Sequence, residues 1–557
     1  MVVIGAVAIL ALPVTQYPPI APPTVQVSAT FPGANAATVQ ESVALPIEQQ
    51  VNGAKDLLYL QSTSTDDGRY TLVATFKPGV DVDIAQVEIQ NRVAIATPRL
   101  PDAVQEQGVV TRQKSTAMLQ MIALSSPDGR YDSLELANYA SARLRDRLAR
   151  LPGVGDVGVF GASAYSMRVW LDPNKMSARG LAPNDVIGAI SRESQRISAG
   201  QIGMPPAASG QPLQLTVNVD SRFQRPEDVS AIVIRAGDTP GAPLVRVGDV
   251  ARVELGAVSY GQTFRYDGKP AAGVAIFETP GANSLETAKA VRETMKDVAD
   301  TFPEGLTYAL PLDTSLFVDA SIHEVYKTLI EAGILVLLVI LLFLQDWRAT
   351  LVPATTVPVT IIGAFAAMTA MGFSINLLTL FAIVLSIGIV VDDAIVVVEG
   401  VTQELERGAK PKEAAARAMQ RLTGPILGIT LVLMAVFLPA SFLPGATGAM
   451  YRQFALVIAA TAFLSAVNAL TLKPVQSAQL LRVRSADAER RPGWFRRNFE
   501  RIYGGVESAY LRLTRRMVRR SLLSGLIALG LFGVAILGLT RIPTGFIPIE
   551  DQGYMVA

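Results

Sequence analysis

The chain of 557 residues is 50% hydrophobic and only 17% charged, with a mean hydropathy of +0.34, too apolar for an ordinary soluble enzyme and indicative of a membrane protein. A net charge of +1 offers no field for nucleic acid or an acidic substrate. Zero cysteines and a single histidine, His323, exclude disulfides, thiol catalysis, iron–sulfur clusters and His/Cys zinc sites, and no glycine loop ending in Gly-Lys-Ser/Thr is present to cradle a nucleotide phosphate.

The first apolar run, "VVIGAVAILAL" at 2–12, is too short to cross a bilayer. It lacks a charged leader and a small-residue cleavage site before "PVTQYPP", so it reads as the outer end of a helix that begins earlier. Residues 24–112 then alternate legibly: strand "TVQVSATF", helix "ANAATVQESVALPIEQQVNG" with Asn35 as N-cap, strands "DLLYLQSTS" and "RYTLVATF", helix "DIAQVEIQNRVAIATPRL", strand "VVTRQ". This β-α-β-β-α-β order is that of a ferredoxin-like split βαβ unit. The pattern restarts with strand "AMLQMIALSS", helix "LELANYASARLRDRLARL" and an expected strand pair, "VGDVGVFG" with "SMRVWLD". A long excursion follows, before strand "AAGVAIFET", helix "NSLETAKAVRETMKDVADTF" and strand "LTYALPL". "PGAN" opens a helix at 32–35 and again at 280–283, as a duplication would, although ordinary turn-and-cap chemistry accounts for it equally. The excursion carries "GQIGMPPAASGQPLQL" at 200–215, either a surface loop or an arm that reaches a neighbouring subunit.

Six later stretches approach the ~20 residues a spanning helix needs, at about 326–345, 351–371, 377–398, 424–443, 454–473 and 521–540. Lys and Arg crowd into 399–421 and 473–520, which the positive-inside rule puts in the cytoplasm, leaving the large domain at 13–325 on the far side. The segment 494–520 reads as an amphipathic helix on the cytoplasmic leaflet, and Trp347 with Arg348 as an interface anchor. His323, just before the second helix, reads as local capping or packing.

"SIGIVVDDAIVVVEG" at 386–400 places Asp392 and Asp393 inside the third of these stretches. An ionised Asp at mid-bilayer costs ~2.5–3.5 kcal/mol, so two in succession imply a function. Neighbouring residues on a helix lie ~100° apart, so both can meet one polar seam without stacking. Two such carboxyls titrate as a coupled unit, suited to taking a proton from one side and releasing it on the other. A static hydrogen-bonded patch is the plain alternative. Sodium is the chemical rival, for which neighbouring oxygen donors beyond Ser386 and Asn376 are few. Lys327 and Lys473 sit at the ends of their stretches, where they are expected to reach water. The counter-charge for the acids is therefore expected from outside this chain. "IPTGFIPIEDQGYMVA" reads as leaving the last helix and opening a further extended segment.

"LPVTQYPPIAPPTVQVSATFPGAN", "GVGDVGVFG", "SIHEV", "GFSINLLTLF", "GIVVDDAIVVVE" and "GAMYRQF" together resemble the resistance–nodulation–division (RND) exporters, hydrophobe/amphiphile branch. Heavy-metal exporters of that superfamily have a single Asp followed by Gly where this chain has Asp392-Asp393-Ala394. The resemblance implies a secondary transporter rather than an enzyme, driven by proton-motive force without a cofactor or metal. It further implies a homotrimer in a Gram-negative inner membrane, working with a periplasmic membrane-fusion adaptor and an outer-membrane channel, and no nucleic acid. The fold it implies is an α-helical transmembrane bundle (the first half of the RND fold) plus α+β porter subdomains of the ferredoxin-like type with a docking insertion.

The implied domains are 1–13, a truncated first helix; 14–115, the first porter subdomain; 116–172 with 263–325, the second; 173–262, docking; 326–473, helices two to six; 474–520, a cytoplasmic loop; 521–541, helix seven; and 542–557, the start of a second porter half. By resemblance, Asp392 and Asp393 carry protons, Phe160 and Met118 hold hydrophobic or amphiphilic compounds, and Pro205 and Pro206 form the trimer-docking arm. Read without the family, Phe160 on a strand is more often a core residue. Two rival readings are a half-protein that only assembles with a complete relative, and an RND-type lipid exporter.

Overall fold

The computed structural model describes every residue except 19–21, 116, 162–164, 195–200, 203–214, 217–222, 236–243, 483–493 and 543–557. The expected docking arm, Pro205 and Pro206, lies outside the described residues.

The first unit is an antiparallel sheet of β1 (Thr24–Thr30), β2 (Leu57–Ser64), β3 (Arg69–Phe76) and β4 (Val110–Gln113), in the order β2-β3-β1-β4. Two helical segments cover one face: 36–51 (α2), which contains a π turn at Gln40–Ala44, and Val82–Ala96 (α3). The Asn35 side chain accepts from Thr38 N, and Asp81 accepts from Asp83 N and Ile84 N, so both helices begin on capped turns. Strand alternation then decides the faces. Val25, Val27, Ala29, Tyr70, Leu72, Ala74 and Phe76 pack against Val39, Val43, Ile47, Ile89 and Val93. Each fully buried aliphatic side chain contributes roughly 1.5–3 kcal/mol. Gln26, Ser28, Thr30, Arg69, Thr71 and Arg112 stay on the opposite, uncovered face.

The second unit pairs β5 (Met118–Ser125), β6 (Val154–Phe160), β9 (Lys269–Glu278) and β10 (Thr307–Asp313) in the order β6-β9-β5-β10, also antiparallel. Counted by chain order within each unit, both sheets read second, third, first, fourth. The helical segment 133–149 (α4), again with a π turn (Ala140–Leu144), and Ser284–Ala299 (α5) cover its core.

The expected pairing of "VGDVGVFG" with "SMRVWLD" does not form. β6 pairs with β9, whereas Tyr165–Leu171 (β7) pairs with Ala251–Ala257 (β8). The physical reason is burial: Met167, Val169 and Leu171 pack on a separate core of Met176, Val186, Val229, Ile232, Val247 and Val250 within the excursion. The two "PGAN" segments do cap helices, through Asn35 and Asn283. They open the first helix of one unit and the second helix of the other, so they occupy non-equivalent places.

The helical part comprises Val2–Ala11 (α1), Thr314–Leu344 (α6), Trp347–Ala370 (α7), Leu377–Glu406 (α8), Pro411–Phe437 (α9), Gly445–Leu480 (α10), Trp494–Arg519 (α11) and Ser521–Leu539 (α12). Among the described helices, six are long and apolar enough to cross a membrane. α8 is the hub, packed by α6, α7, α9 and α10. Residues 13–16 run beside the start of α8, with Thr15 N donating to Ile375 O at 3.0 Å and Ile375 N to Pro13 O at 2.9 Å.

Two sequence expectations are corrected. His323 lies inside α6 rather than before it, with Nδ1 at 3.1 Å from Asp319 O. Lys473 does not reach water: α10 continues to Leu480, and the lysine has no exposed surface.

Candidate functional site

α8 starts because Asn376 closes a capping box: its side chain accepts from Leu378 N and Thr379 N, and Thr379 Oγ1 accepts from Asn376 N at 2.9 Å. Sixteen residues on, Asp392 and Asp393 take different environments, as the ~100° step between helix neighbours requires. Asp393 is 7% exposed, and its Oδ2 accepts from Ser465 Oγ of α10 at 2.6 Å, a charge-assisted length. Asp392 is exposed on the side of α8 that no other described helix covers. Among the described residues no Lys, Arg or His lies within ion-pairing distance of either acid. Ser386 and Asn376, the two oxygen donors singled out in the sequence, do not converge on the pair. Ser386 Oγ accepts from Thr461 Oγ1 at 2.8 Å, and Asn376 Nδ2 donates to Gln453 Oε1 at 2.8 Å.

α10 supplies a seam that hydropathy alone concealed. Gln453, Thr461, Ser465, Asn468 and Lys473 are all buried and all reach α7, α8 or the turn that caps α8. From Gln453 to Lys473 the seam covers about 30 Å, the thickness of a hydrocarbon core. At its end the Lys473 ammonium donates to Val352 O (2.8 Å), Thr355 Oγ1 (2.8 Å) and Gln476 Oε1 (3.0 Å). Three N–H donors meet three oxygens, and none of the three is a carboxylate. The sequence signal for this seam was a set of polar residues spaced by 8, 4, 3 and 5 positions, the first three spacings close to whole turns of a helix.

The second candidate site lies between the two sheet units, a cleft of about 720 Å³. Its floor is the open face of the first sheet (Gln26, Ser28, Thr30, Arg69, Thr71, Arg112), and its far wall is β6 with Ser141 and Arg145 of α4. Arg112 bridges the units through Asp156 at 3.5 Å. Ser259 donates to Asp67 Oδ2 at 2.8 Å. Hydrogen bonds from Thr65 and Ser259, with the Arg69 guanidinium, outweigh the opposing effect of burial and hold the Asp67 carboxyl below its ordinary value.

Phe160 is half-buried and lines this cleft. Met118 does not line it: it stands across the ladder from Phe277, with β9 between its strand and that of Phe160. Phe277 and Phe264 went unnoticed in the sequence. A methyl group on Gly158 would lie 3.2 Å from Phe160 Cε2 and 3.5 Å from Phe277 Cε2, and one on Gly273 would lie 2.7 Å from Phe264 Cε2. Glycines beside aromatic residues thus let three rings settle onto the sheet; Gly158 and Phe160 are neighbours on one strand, whereas the place of Phe277 beside Gly158 is visible only once the register is known.

Comparison with known proteins accords with this arrangement. The chain is 44% identical over 557 residues to the Multidrug resistance protein MdtF of Escherichia coli (strain K12), covering 99% of this chain and 53% of that one. It is 43% identical over 563 residues to the Toluene efflux pump membrane transporter TtgB of Pseudomonas putida, covering 100% and 53%. It is also 43% identical over 554 residues to the Multidrug export protein AcrF of Escherichia coli (strain K12), covering 99% and 53%. The chain therefore spans about half the length of the curated relatives it matches. The pattern that defines the AcrB/AcrD/AcrF family matches residues 1–557, and on that match, which leaves no part of the sequence outside it, the chain belongs to this family of RND transporters.

Proposed function

We propose that the chain serves proton-driven efflux of hydrophobic or amphiphilic compounds. In this reading the membrane is the inner membrane of a Gram-negative bacterium, and the sheet units are periplasmic porter subdomains of the ferredoxin-like type. A homotrimer works with a membrane-fusion adaptor and an outer-membrane channel. The names of the relatives support the transport of drugs and solvents, since MdtF and AcrF are described as multidrug proteins and TtgB as a toluene efflux pump.

The observation that carries the reading is the acid pair. Asp393 sits buried beside a single hydroxyl donor while Asp392 stays open on the same turn. An unpaired carboxyl inside an apolar bundle is costly, and the cost falls when it takes up a proton. A conformational change that alters access to Asp392 would then alternate the pair between loaded and empty states. Drug movement would be linked to that alternation through the packing between α6, which leads directly out of β10, and α8. The test replaces Asp393 by Asn, which keeps the shape and the Ser465 contact but removes the titratable group. Dye efflux from cells making the protein should fall to background while the oligomer survives in mild detergent; undiminished efflux by D393N rejects the role.

A further inference from the structure

The cleft between the sheet units has an electrostatic character that its chain does not share. Among its lining residues are Arg69, Arg112, Lys114 and Arg145, and the lining includes no carboxylate. The whole chain balances 49 basic against 48 acidic residues, so this is a local segregation of charge. Two of the four cations are answered from outside the lining, Arg69 by Asp67 at 3.4 Å and Arg112 by Asp156 at 3.5 Å. For Lys114 and Arg145 no carboxylate lies within ion-pairing distance among the described residues. The rest of the lining divides into a polar floor (Gln26, Ser28, Thr71) and an apolar wall to which Val159 and Phe160 contribute, Val157 beneath them being buried in the core of the second unit.

Resting on the reading of this cleft as a substrate site, we propose that it selects anionic amphiphiles, with the apolar body against Phe160 and Val159 and a carboxylate or sulfonate head facing Lys114 and Arg145. The volume suits this ligand class, since pockets for small organic molecules run from about 300 to 1,000 Å³. An amphiphile with a cationic head meets four like charges there, only two of which, Arg69 and Arg112, have a carboxylate partner behind the lining. Lys114 and Arg145 are exposed, and like charges lining one concave wall act over a longer reach than the same charges on a convex surface.

The experiment uses two fluorescent probes with the same apolar body and different heads, the anionic 11-(dansylamino)undecanoic acid and its neutral methyl ester, with the full chain in dodecyl maltoside. The wild-type protein should bind the acid about tenfold more tightly than the ester, the size expected of a charge-assisted contact discounted for exposure. Added salt should narrow that gap. A Lys114→Gln/Arg145→Gln double variant should bind both probes alike, whereas Lys114→Arg/Arg145→Lys should keep the preference. Phe160→Ala should weaken both probes by a similar factor. Equal binding of acid and ester by the wild type, or a preference that survives the double glutamine variant, overturns the selectivity while leaving the cleft as a site. If Phe160→Ala moves neither probe, the ligand is elsewhere, and both the cleft reading and the proposal fail. Thermal melting of each variant shows whether the fold is retained.

Discussion

Lys473 shows what a residue-scale reading gains from the fold. Hydropathy puts it at the end of an apolar stretch, where a lysine normally extends to water, but Leu480 rather than Lys473 ends the helix. Its acceptors have other donors: the single Thr355 hydroxyl proton can go to Gln476 Oε1 at 3.0 Å, and Thr356 Oγ1 lies 3.4 Å from Val352 O. Lys473→Met should therefore be close to neutral, within about 1 kcal/mol, because an apolar chain of similar length fills the space and leaves few groups unpaired. Lys473→Glu sets a carboxylate against those same oxygens and should cost about 3 kcal/mol or more; chemical denaturation in detergent compares the two. Glu278 offers a pH test away from the bilayer. Burial raises its carboxyl above the ordinary 4.5, only partly countered by the hydrogen bond from Ser284. The folded state then holds the proton more tightly than the unfolded one. Its contribution is fully present below the unfolded value and is lost as pH rises through the raised folded value. Melting temperature should fall across that window, and Glu278→Gln should flatten this part of the profile. Neither environment was legible in the sequence, since burial at both positions is created by segments distant in the chain.

Among the elements, the two sheets were the most legible, because alternation at period two exposes both the covered and the open face of β1 and β3. The pairing of β6 and β7 was misread for a related reason: adjacency in sequence favours a hairpin, and only the excursion's own core explains why β7 leaves the sheet. "PGAN" misled in the same way, since one cap chemistry serves any helix start. Turns can be tested through their glycines. Gly68, with φ +79°, ends the turn before β3 and would place a Cβ 2.0 Å from Phe31 O. Gly79 has φ +89° with nothing within 4 Å. Gly79→Ala should cost about 1 kcal/mol from backbone conformation alone. Gly68→Ala meets a backbone oxygen held in a turn by Ala34 N at 3.2 Å, in a residue whose own N–H donates to Gly68 O at 2.7 Å, and should cost about 2–3 kcal/mol. Equal losses in denaturation experiments would show that the Phe31 contact yields more easily than its geometry implies.

At the scale of the whole molecule, the acid pair and the apolar stretches announce a membrane transporter from sequence. The assembly of the second sheet does not, because β6 and β9 are separated by the excursion, and no local pattern specifies a pairing across such an interval. Orientation is a property of the entire chain, and charge is its sequence signal: Arg407 and Lys410 between α8 and α9, with Lys412, Arg417 and Arg421 in α9, cluster on the side opposite the sheet units. Glu404 fixes part of that cluster in place, 5% exposed and accepting from Arg407 at 2.6 Å and Arg421 at 2.8 Å. The natural absence of cysteine makes the orientation measurable with single substitutions. Glu304, with a side chain 90% exposed, lies in the second sheet unit, and Lys412 is exposed at the start of α9. If the sheet units face the periplasm, Glu304→Cys should react with a maleimide that passes the outer membrane but not the inner one, whereas Lys412→Cys should react only after the inner membrane is opened. Labelling of both in intact cells would mean that the apolar helices do not separate the two sites, and labelling of Lys412→Cys alone would invert the topology. Either result would also remove the periplasmic route on which the cleft depends, because a substrate site between the sheet units can feed an outer-membrane channel only from that side.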